Sequence, residues 1–144
     1  MENRNIYVFW TGNNIMSKNR EECLKELIKV SQCNVILVTP DVLDKYILQE
    51  HPLHQSFNYL SETHKADYLR TYFMRFHGGG YSDIKKTSGS WIDSFEKLEK
   101  SDKLIIGYKE AQYGGVAYSP LLNKWNELIG NGAYICKPNT QLVI

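Results

Sequence analysis

Cysteine is scarce in this chain, and no two cysteines lie close enough in sequence to form a metal or redox motif. There are three, Cys23, Cys33 and Cys136, an odd number of widely spaced residues. Without a CxxC pair, the sequence predicts neither a zinc site nor a disulfide framework. Unpaired cysteines fit a reducing compartment, so we expect a cytoplasmic protein.

Long apolar runs and an excess of one charge are also missing. The first residues, MENRNIYVFWTG, lack the apolar core of a signal peptide, and no apolar run approaches membrane-spanning length. The formal net charge is +1, so bulk electrostatics indicates neither nucleic acid nor a membrane surface as a partner. Apolar residues make up 42% of the chain, which excludes a disordered segment and supplies a core for one domain over 1–144.

Several familiar cofactor and catalytic motifs are absent as well. The GxGxxG fingerprint does not occur, so an NAD site is not supported. His51 and His54 resemble a metal-binding pair, but Pro52 breaks the helix that would align their rings, so the pair does not favour zinc. We recognise no Ser-His-Asp or Cys-His arrangement.

Strand patterns alternate with helical patterns along the chain. NIYVFW and NVILVT predict buried strands, and the segment between them carries apolar residues at helical spacing. This alternation is typical of a single α/β, Rossmann-like domain with a mostly parallel sheet flanked by helices. We expect strands at 5–10, 34–39, 103–108 and 132–138, and helices at 19–30, 41–48, 62–76, 90–100 and 119–128.

Three glycines, Gly78 to Gly80, follow the predicted helix 62–76 and precede Asp83 and Lys85. One interpretation is a helix end followed by a turn with solvated charges. One glycine would suffice for that, whereas three in a row indicate that there is no room for Cβ atoms over several residues. We therefore expect a ligand-facing turn that brings Tyr81 and Asp83 under a ligand.

Two charged residues of the helix 62–76 lie on one side of it. Asp67 and Arg70 are three positions apart, a spacing that lets their side chains meet. They form either a surface ion pair worth at most ~0.5 kcal/mol or a binding pair. In the binding pair, the carboxylate accepts bonds from a ribose or base and the guanidinium clamps a diphosphate. Spacing alone leaves both interpretations open.

Trp10, Thr11 and Gly12 end the first predicted strand. Ligands of open α/β sheets bind beyond the carboxyl ends of strands, so these residues are candidate ligand contacts. Trp10 is either a surface for stacking a base or a tryptophan of the core.

The segment HKADYLRTYFMRFHGGGYSDIKKT resembles the core of sugar transferases that carry a DXD sugar-binding motif. These include capsular-polysaccharide and α-1,6-mannosyltransferase-like enzymes and the glucosylating clostridial toxins. Their pattern is S-D-x-x-R, an aromatic and apolar helix, G-G-x-Y, and then D-x-D. Asp67 and Arg70 match the first part, with Ala66 in place of the serine, while Tyr81 and Asp83 match the later part.

The resemblance implies a GT-A fold and transfer of a sugar from a nucleotide-diphosphate sugar, a UDP-sugar above others, to a hydroxyl of a glycan or polysaccharide. It implies a nucleotide-binding half, 1–88, and an acceptor-side half, 89–144. With the strand-end residues included, we predict donor contacts at Trp10, Thr11, Gly12, Asp67, Arg70, Gly79, Gly80, Tyr81 and Asp83, catalytic roles for Asp83 and Lys85, and acceptor-side positions at Asn131 and Gly132.

The match departs from the family at one functional position. Lys85 stands where the second DXD aspartate, the usual ligand of Mn²⁺ or Mg²⁺, would be. An ammonium group serves a divalent cation badly, so metal dependence is in doubt. Either Lys85 takes over part of the metal's charge or Asp83 alone anchors the ion.

Other functions also stay open from the sequence. The change at Lys85 fits a non-catalytic or degenerate nucleotide-sugar-binding module, and a structural α/β interaction protein is a further alternative. The segment ELIGNGAYICKPNT (127–140) resembles a later, acceptor-side part of these enzymes, and enzymes of this family continue past it. Truncation, or completion by a partner subunit in an oligomer, therefore stays open.

Overall fold

Five strands form one sheet in the computed structural model, which describes residues 4–110 and 113–141. The strands are β1 (Asn5–Phe9), β2 (Asn34–Val38), β3 (Gly79–Ser82), β4 (Ile105–Lys109) and β5 (Ile129–Cys136). The helices are α1 (Lys18–Ser31), α2 (Pro40–Leu43), α3 (Glu62–Phe76) and α4 (Ile92–Glu99), and 3₁₀ segments span Asp44–Tyr46, Phe57–Tyr59, Tyr113–Gly115 and Ser119–Glu127.

The sheet is mixed, with the strand order β2-β1-β3-β5-β4. β1 runs parallel to β2 and β3, whereas β5 runs antiparallel to β3 and β4. The prediction of a mostly parallel sheet is therefore wrong. A parallel return from β4 to β5 would need a packed crossover helix. The predicted helix 119–128 is instead the 3₁₀ segment Ser119–Glu127, in which no residue is buried.

The helix that carries Asp67 and Arg70 is confirmed as α3, with the predicted bounds. The Ser61 hydroxyl caps its first turn by accepting a bond from the backbone N–H of His64 at 3.2 Å. At its other end, Gly78 has a φ of 65°, and its N–H donates to the carbonyl of Phe73 at 2.9 Å. Gly78 thus fills the left-handed position that ends many helices.

Apolar side chains cover both faces of the sheet. Successive residues of a strand point to opposite faces, so Tyr7 and Phe9 pack with Phe73 of α3, whereas Ile6 and Val8 pack on the other side. That second face is covered by α1 and α4, through Leu27, Phe95 and Leu98. Within the described ranges, no helix has the length and apolar character needed to cross a membrane.

Gly79 and Gly80 lie inside β3 and are buried, so the prediction that they form a ligand-facing turn is wrong. A Cβ on Gly79, whose φ is 96°, would lie 2.7 Å from the carbonyl oxygen of Asn5 in β1. A Cβ on Gly80 would lie 2.9 Å from the ring of Trp91. Cβ atoms would clash here because β1 and the indole of Trp91 pack against this strand.

Candidate functional site

A cavity of about 410 Å³ opens at the carboxyl ends of β1 and β3. The chain leaves β1 toward β2 on one side and leaves β3 toward β4 and β5 on the other. The strand order therefore reverses between β1 and β3, and such a switch point is where open α/β sheets bind ligands. We call this space the switch-point cavity. Its walls come from the segments after β1 and β3 and from the first halves of α1 and α3.

Half of the predicted site residues line the switch-point cavity. Trp10, Thr11 and Gly12 line it from the end of β1, and Tyr81, Asp83 and Lys85 line it from the end of β3. The cavity lining does not include the other six, which are Asp67, Arg70, Gly79, Gly80, Asn131 and Gly132.

Asp83 is held from three directions. Its Oδ1 accepts a hydrogen bond from the Tyr81 hydroxyl at 2.5 Å, and its Oδ2 lies 3.1 Å from the Lys85 ammonium. Its backbone N–H donates to the carbonyl of Gly132 at 2.7 Å. Both oxygens of this carboxylate therefore already have partners within the protein.

Tyr81 stays a neutral hydrogen-bond donor at ordinary pH. Burial raises the pKa of its hydroxyl well above the usual value, and the neighbouring Asp83 raises it further. Arg70 lowers that pKa, but its effect is smaller. A phenol of this kind orients the carboxylate of Asp83 and stays protonated while it does so.

Arg70 joins α3 to the segment that was predicted to lie on the acceptor side. Its Nη2 lies 3.0 Å from Asp67 Oδ1, and its Nη1 donates to the carbonyl of Asn131 at 3.3 Å. Its guanidinium also lies 5.6 Å from the ring centroid of Tyr81. The Asp67–Arg70 pair is therefore more than an isolated surface ion pair, and it reaches both predicted parts of the site.

Two charged residues at the cavity escaped the sequence analysis. Arg20 lines it from α1, and its Nη1 donates to the carbonyl of Ile84 at 2.5 Å. Glu62 lines it from α3 and accepts a hydrogen bond from the Thr11 hydroxyl at 2.7 Å, which is the main reason that its pKa is lowered. The position of Arg20 early in the helix after the first strand was an available signal, because ligands often bind there.

The residues present do not fit a divalent cation. Among the residues that the structure describes, no group of three or more His, Cys, Asp and Glu side chains could hold a metal ion. Mn²⁺ or Mg²⁺ at Asp83 would compete with the hydroxyl of Tyr81 and the ammonium of Lys85 for the two carboxylate oxygens. Hard cations require several oxygen ligands, and the two carboxylates that line this cavity, Asp83 and Glu62, are each already paired with a lysine.

Comparison with models of known protein families, with curated proteins and with solved structures finds no match to this chain. The likeness to sugar transferases therefore rests on the segments HKADYLRTYFMRFHGGGYSDIKKT and ELIGNGAYICKPNT.

Proposed function

We propose that this protein is a glycosyltransferase with a GT-A-like fold that takes its sugar from a nucleotide-diphosphate sugar. The observation that carries the proposal is the meeting of distant motif residues at one cavity. Trp10 and Thr11 come from the end of β1, and Asp83 and Lys85 come from the end of β3. The Asp67–Arg70 pair reaches the same place through the ring of Tyr81.

The cavity offers chemistry suited to each part of a nucleotide-diphosphate sugar. Its volume of about 410 Å³ is within the usual range for small-molecule sites. Trp10 supplies an aromatic surface for a base, and a hydrogen bond from its Nε1 to the carbonyl of Asn14 at 3.0 Å holds the indole in place. The half-exposed carboxylate of Asp67 is a hydrogen-bond acceptor for ribose hydroxyls.

The charged groups suit the departure of a diphosphate. In the transfer, the bond between the sugar's anomeric carbon and the diphosphate oxygen breaks, and its electron pair stays on the diphosphate. The acceptor hydroxyl oxygen bonds to the anomeric carbon, and its proton passes to the diphosphate. Fixed positive charge near the leaving oxygen favours this step, and Lys85 at the cavity wall can supply it.

A screen of nucleotide-diphosphate sugars against thermal unfolding tests the proposal. A ligand present at about 100 times its dissociation constant stabilises a fold by about 2.7 kcal/mol. We expect a uridine donor to give the largest rise in melting temperature, and the same donor to release its nucleotide faster when glycan acceptors are added. If no nucleotide sugar raises the melting temperature, the proposal is wrong and an α/β interaction protein becomes the better interpretation.

The ion pair between Lys85 and Asp83 favours a second candidate, a non-catalytic nucleotide-sugar-binding module. This pair occupies the carboxylate that a metal-dependent transferase would use. Donor binding without turnover, in the presence of a broad set of glycan acceptors, would identify such a module.

A further inference from the structure

We propose that Arg20 and Lys85 form a clamp for a diphosphate group that binds without a divalent cation. The inference rests on the proposed function, since it names how the same cavity holds its donor. The two residues come from α1 and from the segment after β3, and both line the switch-point cavity. We call the pair the Arg20–Lys85 clamp.

Arg20 brings to the cavity a positive charge that no carboxylate of the described residues neutralises. The ion pairs among the described residues do not include it. Its bond to the carbonyl of Ile84 uses one N–H and fixes the guanidinium next to the backbone between Asp83 and Lys85. A guanidinium has five N–H donors in a planar fork, so donors remain for phosphate oxygens.

Lys85 brings the second charge to the same segment. Its ammonium lies 3.1 Å from Asp83 Oδ2, and an ammonium has three donors, so two remain for a ligand. Because its side chain is 69% exposed, it can turn toward an incoming phosphate while Asp83 anchors it. Glu62, the other carboxylate at the cavity wall, is paired with Lys65 at 3.2 Å.

The clamp makes a metal ion superfluous. A divalent cation in a diphosphate site neutralises the phosphate oxygens and links them to a protein carboxylate. Here two side-chain cations provide the neutralising charge, and Lys85 itself links the ligand to Asp83. A metal ion would have to displace this ammonium and would then lie beside two positive charges.

Calorimetric titration with UDP and with inorganic pyrophosphate, each in EDTA and in Mn²⁺, tests the clamp. We expect UDP to bind in EDTA within about twofold of its affinity in Mn²⁺. Arg20→Met and Lys85→Met should each weaken binding in EDTA by about tenfold to a hundredfold, as expected for the loss of a charged hydrogen bond. Lys18→Met on α1 and Lys86→Met after Lys85 are matched controls outside the cavity, and they should bind within about twofold of the original protein.

Lys85→Asp provides a reciprocal test. It places a second carboxylate beside Asp83, so binding of UDP should fall in EDTA and recover when Mn²⁺ is added. The melting temperature of every variant is measured alongside, and Arg20→Gln, which also removes the charge, replaces Arg20→Met if the latter does not fold.

The outcomes separate the clamp from the proposed function. Binding of UDP only in Mn²⁺, or normal binding by both clamp variants in EDTA, overturns the clamp and leaves the transferase proposal standing. If pyrophosphate binds in EDTA through the clamp and UDP binds no more tightly, the clamp is supported. The proposal that the donor is a nucleotide sugar is then wrong. If neither ligand binds under either condition, both proposals are overturned.

Discussion

Adding a single methyl group to Gly79 should destabilise the protein strongly while leaving the ligand site intact. Two separate terms contribute to the free energy of unfolding of Gly79→Ala. A φ of 96° places an alanine in left-handed backbone space, which costs about 1–2 kcal/mol. The new Cβ would also lie 2.7 Å from the Asn5 carbonyl oxygen, and overpacking of this kind costs about 1–3 kcal/mol. The sum is about 2–5 kcal/mol.

Two other glycines separate these terms. Gly89 has a φ of 82°, but a Cβ there would meet nothing within 4 Å, so Gly89→Ala should show the backbone term alone, about 1–2 kcal/mol. Gly114 does not have a positive φ, and a Cβ there would meet no atom of the described residues within 4 Å. Gly114→Ala should therefore change stability by less than about 1 kcal/mol. The expected order of stability loss is therefore Gly79, then Gly89, then Gly114.

Urea unfolding of the three variants measures these losses, and nucleotide affinity is measured on the same folded samples. A Gly79→Ala variant no less stable than Gly89→Ala would refute the close packing of β3 against β1. A Gly79→Ala variant that unfolds like the original protein but no longer binds nucleotide would restore the interpretation of the glycines as a ligand-facing turn.

Three further predictions concern polar side chains. Arg70→Ala should weaken donor binding by roughly 1.5–3 kcal/mol and reduce the free energy of unfolding in urea by no more than about 1 kcal/mol, because Asp67 is half-exposed and the bond to Asn131 is exposed; normal donor affinity would show that Arg70 does not hold the donor. Tyr72→Phe should destabilise the fold by about 1–2 kcal/mol in the same assay, since its hydroxyl accepts from Leu48 N–H and donates to the His51 carbonyl, and an unchanged midpoint would contradict both bonds. The raised pKa of Tyr81 means that the folded protein holds this proton more tightly than the unfolded chain. Its contribution is therefore complete below about pH 10 and is lost as the pH rises further. Tyr81→Phe should flatten the fall in unfolding free energy above about pH 10, and an unchanged slope would argue against its burial.

Local patterns in the sequence predicted the parts of the fold that depend on near neighbours. The bounds of α3 follow from its apolar spacing and from the glycines after Phe76. The direction of β5 relative to β3 was not predictable in this way, because the apolar pattern of a strand does not depend on whether it pairs in parallel or antiparallel. That direction depends on the segment that connects β4 to β5. The pattern at 119–128 predicted a packed helix, whereas the structure has a 3₁₀ segment without buried residues.

The site shows the same division between local and distant information. The Asp67–Arg70 spacing and the polar residues after Gly80 were visible in one segment. Tyr81, Asp83 and Lys85 line the cavity, and the guanidinium of Arg70 lies over the ring of Tyr81. The reason for Gly79 lies in the backbone of Asn5, far away in the sequence. The partner of Arg20 is the carbonyl of Ile84, which no residue type in the sequence reveals, so Arg20 could have been found only by its place early in the helix after the first strand.

The insertion of β5 between β3 and β4 has a consequence for synthesis on the ribosome. β1, β2 and β3 emerge early and can form three parallel strands, but β3 then keeps an open edge along Gly79–Ser82. Exposed edges pair readily with strands of other chains, and β4 cannot cover this one because its place in the sheet is on the far side of β5. The nascent chain must therefore stay shielded until Ile129–Cys136 has left the exit tunnel, and a synthesis pause before that point would favour aggregation over folding.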